Sequence, residues 1–237
     1  MKKITMIRRL KLNDESFETI KNAVKKAEST TSGEIALAVI PESAQYSIYE
    51  LLFALVFGVI LFACLIPFSN NIFAYLDRSL WGASLWHLTT FFGIFSFGCI
   101  GILFFIGNIP FIDRIIIPPA VRTKTVYNRA LRHFVESGVY ATANRTGILL
   151  FVSYMEREVR ILADTGISSK IAPELWNLIA TDLAEGLGTD DATGAFIRAI
   201  ERCGELLTEY FPAPNNPELN PDELPDGLVV LGDDECL

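Results

Sequence analysis

The sequence predicts an α/β fold, with helices layered on a small mixed sheet and the domain interrupted by a two-helix transmembrane hairpin. Three observations carry this reading. Residues 51–68 and 85–111 contain no Asp, Glu, Lys or Arg. Short apolar runs with strand character, at 34–40, 147–154 and 159–163, lie on both sides of those stretches. Segments with helical periodicity alternate with the runs, which is the pattern of a layered α/β domain.

The elements follow in order. The opening MKKITMIRRLKL carries bases but no long apolar run, so it does not read as a secretory signal. Asn13 or Asp14 caps a helix running to about Glu28, with Phe17, Ile20, Val24 and Ala27 on one face. Residues 30–33 form a turn, and 34–40 (EIALAVI) is a buried strand stopped by Pro41. Beyond the apolar stretches, Pro118-Pro119 breaks the chain and a helix runs from about Ala120 to Ser137, with Gly138 just past its end. The runs 147–154 and 159–163, joined by a short polar connection, predict an antiparallel hairpin ended by Asp164-Thr165-Gly166. Helices follow over 173–183 and 190–210.

The hydrocarbon core of a bilayer takes about 20 apolar residues at ~1.5 Å rise each. The first stretch just meets this, and the second has its useful core at 89–109, which leaves His87 at the interface. Tyr75, Trp81 and Trp86 cluster in or beside the connection, where an aromatic belt belongs. Bases set the orientation. Lys2, Lys3, Arg8, Arg9, Lys11, Lys21, Lys25 and Lys26 precede the first stretch, and Arg114, Arg122, Lys124, Arg129 and Arg132 follow the second. The connection at 69–84 carries only Arg78. Both termini are therefore expected in the cytoplasm, in a multi-pass protein of a bacterial-type cytoplasmic membrane. No ionisable residue lies deep in either stretch, which disfavours transport and proton relay. Ala54 and Gly58 form a small-xxx-small pair, and Gly93, Gly98 and Gly101 mark the second helix, which suits packing of the hairpin on itself.

The expected organisation is 1–47 as the first part of the domain, 48–112 as the hairpin, 113–212 as the remainder and 213–237 as an acidic disordered tail. The net charge of −8 belongs to that tail. Every Lys and Arg precedes Phe211, whereas Glu218, Asp222, Glu223, Asp226, Asp233, Asp234 and Glu235 follow it. No basic stripe interleaved with aromatics points to nucleic acid. The N-terminal bases suit anionic headgroups of a lipid bilayer. Cys64, Cys99, Cys203 and Cys236 form no CxxC pair, which fits a reducing compartment.

A family resemblance rests on the residues around these strands. Ser32-Gly33-Glu34-Ile35 opens it, Arg145-Thr146-Gly147 followed by the run to Val152 continues it, and REVRILADTGI at 157–167 is its strongest piece. Together they resemble the TPM domain family, over about 13–41 and 120–212. The resemblance implies an α/β/α sandwich around a small mixed sheet, membrane association, and a role in assembling or maintaining membrane protein complexes. Some members are linked to phosphatase activity or to calcium. Many carry a terminal membrane helix, whereas here the apolar stretches interrupt the domain after its first strand.

No nucleophile elbow, P-loop or HExxH is present, and no catalytic residue is assigned. His133 lies on a helix and reads as a packing or surface residue. Ser153 ends a strand, and the sequence supplies no base to activate it. A calcium site needs several converging oxygens. The candidate donors are Glu34 at the entrance of the first strand, Asp164 at the exit of the strand hairpin, and Asp190 and Asp191 before the last helix. Asp164 and Asp190 equally suit turn and helix caps. Arg145, Arg157 and Arg160 are candidates for an anion pocket or for ion pairs with Glu156 and Glu158. The expected function is a non-enzymatic, membrane-anchored domain that binds a membrane protein. Phosphate-ester hydrolysis and calcium sensing are the alternatives.

Overall fold

A computed structural model of the chain describes residues 2–80, 82–107, 109–214, 221 and 223–232. Trp81, Cys236 and the acidic residues Glu218, Asp222, Asp233, Asp234 and Glu235 lie outside that set. The chain forms two compact units, one discontinuous (Met1–Gln45 with Ala120–Leu237) and one continuous (Tyr46–Pro119).

The discontinuous unit is built on a four-stranded sheet: β1 (Glu34–Ile40), β2 (Gly147–Ser153), β3 (Glu158–Ala163) and β4 (Leu228–Val230), in the order β3-β2-β1-β4. β1 runs parallel to β2 and β4, and β2 runs antiparallel to β3, so the sheet is mixed. Every residue of β1 and β2 is buried, as central strands covered on both faces must be. Strand alternation splits them between two cores. Ile35, Leu37, Val39, Ile148, Leu150 and Val152 face one core, and Ala36, Ala38, Ile40, Leu149 and Phe151 face the other.

The first core is closed by α1 (Lys2–Arg9), α2 (Asp14–Glu28), α9 (Pro173–Gly186) and α10 (Ala192–Tyr210). The second is closed by α7 (Pro119–Glu136), whose Val126, Ala130 and Phe134 meet Phe151 and the small side chains of β1. This is the predicted three-layer α/β/α arrangement. Asn13 caps α2 by accepting the Ser16 N–H at 2.8 Å. A single turn, α8 (Thr165–Ser168), follows β3 and is capped by Asp164.

Neither α1 nor β4 was expected. The N-terminal base cluster is helical and buries Met6, Leu10 and Leu12. The helix ends in a Schellman motif: Lys11 N–H reaches Arg8 O, Leu12 N–H reaches Ile7 O, and Lys11 takes a left-handed φ of 54°. The expected disordered tail instead supplies β4 and buries Leu224, Leu228 and Leu231. This corrects the reading of 213–237 within its described residues. Pairing with β1 and burial of three leucines hold a segment that its own composition could not.

The continuous unit contains α3 (Ser47–Leu65), a 3₁₀ turn (Ile66–Phe68), α4 (Ser69–Leu80), α5 (Leu85–Gly107) and α6 (Pro110–Ile116). The connection between the apolar stretches is thus largely helical. The second apolar helix ends at Gly107, short of the predicted 111. Two helices, Ser47–Leu80 and Leu85–Gly107, are long and apolar enough to cross a membrane. They pack on each other through Gly58, where an added Cβ would lie 2.5 Å from Ile100, and through a Phe62–Phe92 ring contact at 5.7 Å. Gly93, Gly98 and Gly101 have open space where a Cβ would point.

Candidate functional site

The sheet sets the geometry of the predicted carboxylates. Glu34 opens β1 opposite Gly147, the first residue of β2, and its N–H donates to Thr146 O at 3.1 Å. Asp164 follows β3, and its N–H donates to Gly147 O at 3.0 Å. Both acids therefore sit at one end of the sheet, on opposite sides of β2. Each is about 95% buried, at 5% exposure.

Glu34 lies on the β4 side, where two acids that the sequence did not single out join it. Glu28, ending α2, accepts the Ile35 N–H at 2.7 Å, and Glu34 accepts the Leu224 N–H at 3.3 Å. Asp226, in the loop before β4, pairs with Lys25 at 3.4 Å and bonds Glu28 through their side chains. Burial raises the Glu28 carboxyl, and the charges of Glu34 and Asp226 add to the effect. The Ile35 N–H opposes the rise, and the result is about 9. At neutral pH, Glu28 is therefore a protonated acid that can donate to Asp226.

Asp164 occupies a different environment. One oxygen caps α8, accepting the Thr165 N–H at 2.6 Å, while the other is buried without a hydrogen-bond partner, 3.8 Å from Arg145. Asp190 is exposed and pairs with Lys11 at 2.8 Å, whose hydrogen bond and charge hold its carboxyl below the usual range. Asp191 caps α10 by accepting the Gly194 N–H at 2.8 Å and lies 3.5 Å from Arg198. The four candidate donors are thus employed separately. Among the described residues, no three His, Cys, Asp or Glu side chains are grouped to hold a metal. Cys203 is fully buried, which pushes its thiol up to about 12 and leaves it inert.

Ser153 has the carboxylate partner that its sequence neighbourhood did not reveal. Its hydroxyl donates to Glu156 at 2.6 Å and lies 2.7 Å from the Ser43 hydroxyl, while Glu156 also accepts the Ser43 N–H at 3.0 Å. Sequence reasoning missed this because the turn at 154–157 folds Glu156 back over the strand end. Ser153 is completely buried and Glu156 is 5% exposed, so the arrangement pins the turn in place.

The three predicted arginines part company. Arg145 donates to Tyr140 O at 2.9 Å and covers the Tyr140 ring. Arg160 pairs with Glu158. Arg157 instead lines a cleft of about 260 Å³ together with Arg9 of α1.

Comparisons with known proteins agree with this architecture. The family model described as the TPM domain matches residues 114–206, beginning beyond both apolar stretches. The NMR structure of BA42 protein from the psychrophilic bacterium Bizionia argentinensis superposes with a TM-score of 0.53 at 16% identity. That match covers 92% of this chain and 94% of the other, and it shows a shared fold. No curated protein matches the chain. By matched sequence, residues 114–206 are similar to the TPM domain, and by fold the chain is similar to BA42.

Proposed function

We propose that the chain is a membrane-anchored TPM-domain adaptor that binds a membrane protein or complex in its assembly, maintenance or turnover. The observation that carries the reading is the apolar two-helix unit set between β1 and β2 of a single sheet. The same sheet needs residues from before and after the insertion, so the chain passes between the α/β unit and the apolar unit twice. Bases on both flanks support an orientation with both termini on the cytoplasmic side of a bacterial-type membrane. Affinity isolation of the full chain from solubilised membranes should recover one stoichiometric membrane partner. Repeated isolation of the intact protein alone would overturn the reading. Tags at either terminus should be shielded from outside reagents, and a tag at Asn71 should be reachable.

Phosphate-ester hydrolysis is the rival. Ser153 has a carboxylate partner but no exposed surface, which favours the adaptor. Turnover of a phosphate monoester by purified protein, with or without calcium or magnesium, would reverse that preference. One observation favours a further, cation-responsive reading: the buried Asp164 oxygen that lacks a hydrogen bond. Calcium calorimetry decides it. Binding heat lost in Asp164→Asn supports the reading, and absence of heat in the wild type removes it.

A further inference from the structure

The cleft between α1, the β2–β3 turn and the end of α9 has an apolar floor and a charged mouth. Leu10, Val152 and Val159 of the first core form the floor. Four charged side chains stand around it: Arg9, Arg157, Glu158 and Asp190. The two acids are neutralised by other residues. Glu158 pairs with Arg160 and accepts the Thr123 hydroxyl at 3.2 Å, and Asp190 pairs with Lys11 at 2.8 Å. The Thr189 hydroxyl donates to Gly186 O, and the Gly188 N–H donates to Glu185 O. Among the described residues, the Arg9 and Arg157 guanidiniums have neither a hydrogen bond nor an ion pair. They are two uncompensated positive charges on one small cleft.

Both are held by rigid backbone. Arg157 takes a left-handed φ of 53°, a conformation that costs most residues with a side chain roughly 1–2 kcal/mol and that glycine or asparagine would adopt more cheaply. The buried Ser43–Ser153–Glu156 bonds fix the residue immediately before it. On the opposite wall, the left-handed Lys11 ends α1 and ties it to the α9–α10 loop through Asp190, so Arg9 is carried on a fixed helix end.

We infer that this cleft binds a phosphate-bearing anion through Arg9 and Arg157. Two guanidinium forks, with two positive charges, match the oxygens and the charge of about −1.5 to −2 of a phosphate monoester better than the single charge of a carboxylate. The cleft is smaller than drug-sized sites of about 300–1,000 Å³, so it takes the phosphate and a small apolar substituent rather than an extended polymer. The inference concerns binding alone and stands independently of the adaptor reading, because it does not involve the membrane partner.

The test uses the full chain in a neutral detergent or in nanodiscs, with the arginine side-chain ¹H–¹⁵N signals and calorimetry as readouts. The probes are inorganic phosphate, glycerol 3-phosphate, and nanodiscs of phosphatidylcholine with or without phosphatidic acid. The expected result is saturable binding of a phosphate probe that shifts the Arg9 and Arg157 signals. Arg9→Gln and Arg157→Asn should each weaken binding at least about tenfold, or ~1.4 kcal/mol. Arg198→Gln, which removes an unrelated exposed arginine, should leave it unchanged. Response to the soluble probes identifies a free phosphorylated ligand, and response only to phosphatidic acid identifies a lipid headgroup. No saturable response to any probe overturns the inference, as does equal binding by the wild type and Arg9→Gln. Arg9 is exposed at a helix end, so its replacement keeps the test informative even if Arg157→Asn disturbs the turn. Loss of phosphate binding with partner capture intact leaves the adaptor reading standing, and the reverse outcome leaves this one standing.

Discussion

At the scale of residues, two groups sit in conformations or charge states that the fold holds against their own preference. Arg157 is one. Arg157→Gly should leave stability unchanged or raise it by up to about 1 kcal/mol in urea unfolding, because glycine relieves the left-handed φ but enlarges the unfolded ensemble. The same change should abolish phosphate binding, so the two measurements separate strain from use. Glu28 is the other. Its carboxyl titrates near the ordinary 4.5 when unfolded and near 9 when folded. Below 4.5, both states hold the proton and there is no penalty. Between 4.5 and about 9, only the unfolded state releases it, so stability falls as pH rises and levels off above 9. Glu28→Gln should flatten that slope, which denaturant midpoints across this range would measure. Neither feature could be read from the sequence. Glu28 acquires its shift chiefly from burial in the folded unit, with smaller additions from Glu34 and Asp226, and Arg157 becomes conspicuous only once its backbone angle is known.

At the scale of elements, legibility followed local burial. β1 and β2 are uniformly apolar, bounded by turn residues, and lie where the sequence places them to within a residue. α2 begins at its predicted cap. β4 was not legible, because three residues in a Pro- and Asp-rich segment carry little periodicity and their burial comes from pairing with β1. α1 was hidden for the opposite reason, since KKITMIRR reads as a charge cluster while its contact with the core rests on Met6 and the leucines after it. The positions of Glu34 and Asp164 at strand ends were legible, whereas their separation by β2 required the strand order. The sheet's dependence on α7 can be measured. Phe151 is fully buried between β2 and that helix, and Phe151→Ala should cost about 3–5 kcal/mol by chemical denaturation.

At the scale of the whole molecule, the chain divides its chemistry between two environments. One unit holds the two long apolar helices, and the other contains most of the serines, carboxylates and arginines that take part in hydrogen-bonded or paired arrangements. Because β1 pairs with β2 and β4 within the discontinuous unit, replacing residues 46–119 by a flexible Gly/Ser linker should give a soluble, cooperatively unfolding protein. A single sharp transition by circular dichroism and fluorescence would show this. Broad or probe-dependent melting would mean that the sheet depends on the insertion.

The interruption of the sheet also fixes an order of events during synthesis. When β1 leaves the ribosome, neither strand that will flank it yet exists: β2 begins at Gly147 and β4 at Leu228. At roughly 5–20 residues per second, β1 waits on the order of 5–20 s for its first partner. The two apolar helices emerge during that interval, while the first strand is still without a sheet to join. A seven-residue apolar strand with two open edges is thus exposed while the adjoining apolar helices are emerging. On the membrane-anchored reading proposed above, targeting comes before folding in this chain. A delay in insertion should appear first as aggregation through β1, well before any loss of function in the finished protein.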